Sequence, residues 1–111
     1  MDKKTKARFE ARAKIVKAMS HGTRLFILSE LEKDKRCVQE LTELIGADMS
    51  TVSKHLSILK NAGLVSCEKR GTTVFYELRC TCLGRFFECI EAVLATNLKK
   101  DQEACEACGG Q

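Results

Sequence analysis

At Gly63 the spacing of apolar residues changes from helical to alternating, and that switch sharply limits the architectures open to this chain. Before it, Val38, Leu41, Leu44 and Ile45 recur at the spacing of one helix face, and so do Val52, Leu56 and Leu59. Between these two short helices stands Gly46-Ala47-Asp48. Gly46 can take positive φ just past a helix end, and Asp48 can cap the helix that follows. Two short helices joined by a turn of about three residues make a helix-turn-helix. Beyond Gly63, Val65 and Cys67 alternate with polar neighbours, Lys69-Arg70-Gly71-Thr72 marks a turn, and Val74, Tyr76 and Leu78 alternate on the return strand. A β-hairpin with a basic tip, set directly after a helix-turn-helix, has the shape called a wing.

The remaining apolar residues read as helices. Phe9, Ala13, Val16 and Met19 predict a first helix from about residue 6 to 19, ending before Ser20-His21-Gly22. Leu25, Leu28 and Leu31, widened by Phe26 and Ile27, predict a second. Leu83, Phe86, Phe87, Ile90, Val93, Leu94 and Leu98 describe a last amphipathic helix. Residues 99–111 are polar and Gly-ended and read as a flexible tail. The expected organisation is one winged helix-turn-helix domain over residues 1–98, mainly α with a β-hairpin, followed by a Cys-containing tail over 99–111. A chain of 111 residues is long enough for one core and short for an enzyme with a deep cleft. No apolar run approaches the roughly 18 residues of a membrane span, and the charged start MDKKTKARFEARAK carries no secretory signal. The expectation is a cytoplasmic protein without membrane association.

Charge is unevenly spread. Residues 1–24 hold eight basic and two acidic side chains, 25–48 three and six, 49–79 five and two, and 80–111 three and five. The overall +4 thus gathers on the N-terminal arm and on the segment from the fourth helix to the hairpin, which suits contact with phosphate. With Val52, Leu56 and Leu59 turned inward, the fourth helix offers Ser50, Thr51, Ser53, Lys54, His55, Ser57 and Lys60. Small hydroxyls near a helix start allow close approach to a major groove, while Lys and His reach base edges or phosphates. Lys69, Arg70, Thr72 and Thr73 at the hairpin tip are placed to grip the neighbouring backbone. The expected partner is duplex DNA. No Ser-His-Asp set, phosphate-cradling Gly-rich loop or paired carboxylates in a cleft is visible, so an enzyme is not expected.

Seven cysteines in a cytosolic chain do not read as a disulfide framework, because that compartment keeps thiols reduced and the number is odd. Cys80-x-Cys82-x6-Cys89 marks the handover from the hairpin to the last helix. Cys82 and Cys89 are seven residues apart, so on a helix they lie about 20° from one line and roughly 10.8 Å apart. One ion would need an unwound first turn or a further ligand, and Gly84 loosens that stretch. Cys105-x-x-Cys108 in the tail can chelate a metal, recruit one, or complete the main site from a partner chain. Cys67 reads as a packed hairpin residue, and Cys37 is one thiol alone.

The stretch AMSHGTRLFILSEL, followed by CVQELTELIGADMSTVSKHLSILKNAGLVSCEKRGTTVFYEL, resembles the ArsR/SmtB family of metal- and metalloid-sensing bacterial repressors across roughly residues 10 to 98. The resemblance implies a winged-helix homodimer built through the first and last helices, binding an operator of dyad symmetry and releasing it when inducer binds. Family members with a zinc site on the last helix use Asp-x-His and a later His with a partner. Those places here hold Cys80, Cys82, Val93 and Thr96. Other members use Cys-Val-Cys at the third helix, where this chain reads Cys37-Val38-Gln39.

Three soft thiolates favour thiophilic ions. Trivalent arsenic or antimony is charge-balanced by three of them, whereas structural zinc usually wants four ligands. The expected inducer is therefore As(III) or Sb(III) at Cys80, Cys82 and Cys89, with Cys37, Cys105 and Cys108 as accessory thiols and no organic cofactor. Cadmium, lead, copper(I) and an oxidant or persulfide acting on a Cys80/Cys82 pair stand as alternatives, as does a metallochaperone whose helix-turn-helix mainly dimerises.

Overall fold

The computed structural model describes the backbone of residues 1–109 and the side chains of residues 1–104. Its elements run α1 (Lys3–Met19), α2 (Gly22–Lys33), β1 (Arg36–Cys37), α3 (Val38–Ile45), α4 (Met49–Asn61), β2 (Val65–Arg70), β3 (Thr73–Leu78) and α5 (Leu83–Gly109). They form two compact units, one over Met1–Thr81 and a second beginning at Cys82. Among the described residues no helix is long and apolar enough to cross a membrane.

The first unit is built inward from the apolar stripes. Ile27 and Leu28 of α2, Leu41 of α3, Val52, Leu56 and Leu59 of α4 and Val65 of β2 are all fully buried. Each helix end is marked by a residue suited to it. Asp2 caps α1, its Oδ1 accepting from the Thr5 N–H at 2.7 Å, and that bond holds the Asp2 carboxyl below its ordinary range. This earlier start explains why α1 begins at Lys3, ahead of its first apolar residue. His21 caps α2, with Nδ1 accepting from the Thr23 N–H at 3.1 Å.

Gly46 closes α3 at φ +77°, its N–H donating to Thr42 O at 2.9 Å. The end of α4 is a Schellman turn around Gly63 at φ +81°, in which Gly63 N–H donates to Lys60 O and Leu64 N–H to Leu59 O, both at 3.0 Å. That turn drops Leu64 and Val65 into the core and starts the hairpin.

In the hairpin, β2 and β3 pair antiparallel from Val65↔Leu78 to Arg70↔Thr73, leaving Gly71-Thr72 as a two-residue loop. Gly71 has φ +64° and Thr72 does not take positive φ, the pattern of a II′ turn. A third strand was not apparent from sequence. Arg36 pairs with Tyr76 and Cys37 with Phe75, giving the order β1-β3-β2. Two residues are too few to show an alternating period. Glu30, only 8% exposed, anchors this strand by contacting Lys33 at 2.9 Å and Arg36 at 3.8 Å.

Two apolar stripes behave differently from the core. On α1 only Ala18 and Met19 are buried, while Phe9, Ile15 and Val16 stay exposed. Leu44, expected on the inner face of α3, is also exposed. In the second unit α5 leaves Phe86, Val93, Leu94 and Leu98 exposed. The helix does not stop at Leu98 but continues to Gly109. The segment KKDQEACEAC holds no Pro or Gly and is rich in Lys, Glu, Gln and Ala, all good helix formers.

The left-handed backbone at Gly46 has open space around it, so a Cβ there costs conformation and not contact. Gly46→Ala should lower unfolding stability by about 1–2 kcal/mol, and Gly46→Asn by clearly less. Urea titrations of the three chains measure this.

Candidate functional site

Burial of Val52, Leu56 and Leu59 leaves Ser50, Thr51, Lys54, Ser57 and Lys60 exposed on α4, as their spacing predicted. At the start of the helix the hydroxyls are already organised. Ser50 Oγ donates to Asp48 Oδ2 at 2.8 Å, and hydrogen bonds from Thr51 first and Ser50 second hold the Asp48 carboxyl below its ordinary pKa. The tip of the hairpin presents Lys69, Arg70 and Thr72 to solvent. Arg70 lies 3.5 Å from Glu68 Oε2 and 5.8 Å from the Phe75 ring centroid, both exposed contacts worth little individually.

Ser53 and Thr73 are half-buried because they face a crevice of about 260 Å³. The start of α3 (Cys37, Val38, Gln39), the first turns of α4 (Met49, Ser53) and the hairpin turn (Thr72, Thr73, Val74) enclose it. The two segments expected to touch DNA thus flank one depression. Cys37 is buried behind it, 7% exposed, with its N–H donating to Glu40 Oε1 at 3.1 Å. That bond, ahead of the Arg36 guanidinium, depresses the Glu40 pKa.

His55 is placed differently from its neighbours. Its ring is half-buried, with its centroid 4.5 Å from that of His21 and its Nδ1 3.5 Å from Arg24 Nη1. It therefore faces the start of α2 while Lys54 points to solvent. Burial foremost, then the charges of His21 and Arg24, lower its pKa. Lys60 is exposed yet engaged: a hydrogen bond to the Cys67 sulfur raises its pKa. Burial, followed by Cys67, raises that of Tyr76. Cys67 is thus a junction between α4 and the hairpin as well as a packed residue. Only the inward turn of α4 against β2 reveals this, because no sequence signal links positions 60 and 67.

Of the thiols expected to bind an ion, Cys80 is half-buried after the end of β3 in the first unit. In the second unit, Cys82 is exposed just before α5, with its carbonyl accepting from Arg85 N–H at 3.2 Å, and Cys89 is exposed within the helix. The first turn of α5 is therefore formed, and Gly84 lies inside it. Among the described residues no three Cys, His, Asp or Glu side chains are gathered closely enough to hold a metal ion. The side chains of Cys105 and Cys108 lie outside the described residues.

A model of bacterial regulatory proteins of the arsR family matches residues 21–66, from the start of α2 into β2. An HTH-type transcriptional regulator of uncharacterized role from Methanocaldococcus jannaschii is 41% identical over 70 residues, covering 62% of this chain and 79% of that one. The chain belongs to the arsR family. The arsenical resistance operon repressor of Bacillus subtilis is 41% identical to this arsR-family chain over 63 residues, covering 56% of it and 60% of the repressor. Among solved structures, the homodimeric winged helix-turn-helix DNA-binding domain of a possible ArsR-family regulator from Mycobacterium bovis superposes with a TM-score of 0.77 at 28% identity. The match covers 90% of this chain and 93% of that domain. The chain spans about half the length of several curated relatives, down to 38% of an HTH-type transcriptional regulator from Mycobacterium tuberculosis. The family and these relatives are regulators of transcription and not enzymes.

A depressed His55 pKa means that the unfolded chain takes up a proton before the folded one does. Stability from this group is complete above the ordinary value of 6.5 and declines as pH falls below it. Denaturation midpoints followed between about pH 7.5 and about pH 5 should fall for the native chain and fall less for His55→Gln. An equal decline in both would place the acid sensitivity elsewhere.

Proposed function

We propose that this chain is a transcriptional repressor that reads operator DNA with α4, clamps the adjoining backbone with the hairpin tip, and lets go when trivalent arsenic or antimony binds Cys80, Cys82 and Cys89. The observation that carries the DNA-reading part is the crevice between α4 and the hairpin turn. It puts the exposed hydroxyl and Lys row and the basic tip on one side of the molecule, with no acidic residue between Met49 and Ser66. Ser50, Thr51, Ser53, Lys54 and Ser57 would face the major groove, and Lys69, Arg70, Thr72 and Thr73 the phosphates. Before Ser50 and Thr51 can reach a base, they must turn from the Asp48 carboxylate. Lys60 and His55 act mainly by fixing α4 to the hairpin and to α2.

Pairing of two such chains supports the reading further. Phe9, Ile15 and Val16 on α1 and Phe86, Val93, Leu94 and Leu98 on α5 are apolar and exposed, and a homodimer through these helices would cover them. A two-fold dimer presents two copies of α4 to half-sites of dyad symmetry. The reduced thiols suit a cytoplasmic setting.

For the inducer, the donor set is the support. When a trihydroxy arsenic species meets three thiols, three As–S bonds replace three As–O bonds, and each thiol proton leaves with a hydroxyl as water. No oxidant is needed. Cys82 and Cys89 flank a formed helical turn, so gathering all three sulfurs requires the start of α5 to open. Cys80 lies two residues after Leu78, the last residue of β3, so capture of the ion by this thiol would bear on the hairpin. Because the linkage is reciprocal, operator DNA should weaken ion binding by the same factor.

Fluorescence anisotropy on promoter DNA tests both halves. Lys54→Ala and Arg70→Ala should each weaken binding and reduce the salt slope by about 1. Arsenite should lower the affinity of the native chain about 100-fold, near 2.7 kcal/mol. Cys80→Ser, Cys82→Ser and Cys89→Ser should keep the unliganded affinity and lose the response. If all three variants release normally, the ion binds elsewhere. Release by cadmium or an oxidant, with indifference to arsenite, would reassign the inducer.

A further inference from the structure

The second half of α1, the start of α2 and the last turn of α4 line an open cavity of about 440 Å³. Lys14, Lys17 and Arg24 stand around it, and Ala18, Ile58 and Ala62 supply an apolar floor. Among the described residues no carboxylate lines it. Among the described residues, the ion pairs found involve Lys33, Arg36 and Arg70 and none of these three cations.

Arg24 is the informative member. It is half-buried, its Nε is buried with no hydrogen-bond partner, and its nearest polar contact is the imidazole of His55 at 3.5 Å. Arg36 offers a comparison within the same fold. Its Nε is likewise buried and unpartnered, but two carboxylates, Glu30 and Glu40, neutralise its guanidinium. Arg24 has a comparable buried Nε, with no carboxylate paired to it among the described residues. A guanidinium in that position gains most from a ligand that accepts two parallel N–H bonds, the geometry of a carboxylate or phosphate. Two flanking ammonium groups concentrate the positive potential in a concave, partly dehydrated surface.

We infer that this cavity is a binding site for a small organic anion, a carboxylate or phosphate monoester with a compact apolar body. The charged end would sit at Arg24, Lys14 and Lys17 and the carbon skeleton on Ala18, Ile58 and Ala62. The volume is within the range of sites for small molecules. Two observations separate the site from the surfaces described above. Asn61, beside the cavity, lies about 15 Å along α4 from Thr51 at the reading end. Lys14 and Lys17 are turned about 80–160° around α1 from the line of Phe9 and Val16, so a dimer covering that line leaves them open. Since α4 forms part of the floor and His55 touches Arg24, an occupant acts directly on the reading helix.

Calorimetric titration of the reduced full chain at fixed ionic strength tests this, with phenyl phosphate, benzoate, inorganic phosphate and benzyl alcohol as probes. Phenyl phosphate or benzoate should bind saturably and more tightly than inorganic phosphate. Lys14→Ala/Lys17→Ala, two changes on the exposed face of α1, should raise the Kd at least about tenfold. Arg24→Lys, which keeps the charge and loses the fork, should raise it further if the chain remains folded by circular dichroism. The lysine pair decides the matter if it does not. Three outcomes overturn the proposal: no saturable binding of either organic anion, equal binding of benzyl alcohol, or binding unchanged in the lysine variant. Weaker binding of a random-sequence duplex by that variant, with no response to the small anions, would assign these cations to the DNA backbone and likewise sink it. None of these readouts depends on arsenite or on the cysteines.

Discussion

The surface that α4 and the hairpin tip present together depends on the packing of α4 over α2, α3 and the base of the hairpin. A helix of 13 residues is marginal in water on its own. Full burial of Val52, Leu56 and Leu59 contributes roughly 1.5–3 kcal/mol for each side chain, enough to hold the helix in one orientation. That orientation decides which residues remain outside. Ser50, Thr51, Lys54 and Ser57 are displayed because the other face is committed to Ile27, Leu28, Leu41 and Val65.

Polar contacts refine what packing sets. Asp48 occupies the hydroxyls of Ser50 and Thr51 ahead of any ligand, and Lys60 ties the far end of the helix to Cys67 on β2. His55 joins the middle of α4 to His21 and Arg24 at the start of α2. Polar groups thus contact α4 at its start and middle.

Much of this was legible from residue spacing, for definite reasons. Gly46 and Gly63 mark positions whose left-handed backbone few other residues can meet, so the turn of the helix-turn-helix and its exit into the hairpin were readable directly. The exposed row of α4 followed from subtracting its buried stripe. Other features were hidden. Strand β1 contains only Arg36 and Cys37 and acquires its identity from pairing with Tyr76 and Phe75, some forty residues away. Leu44 and Val16 share helical spacing with buried residues but lie outside the first unit's core, because periodicity identifies a face without identifying what covers it. The continuation of α5 to Gly109 was missed because a polar segment of good helix formers has no apolar stripe to announce it.

The sequence by itself determined the local structure: where helices begin and end, where the period changes to two, and which thiols and cations the chain can offer. Those properties depend on neighbours within one or two turns, whose chemistry is fixed by covalent order. Only the tertiary structure decided that His55 turns toward Arg24, that Lys60 meets Cys67, that Ser53 and Thr73 share a crevice, and that Lys14, Lys17 and Arg24 converge without a carboxylate. These pairings join residues far apart in the chain, and their distances are set by how the buried side chains fill one core.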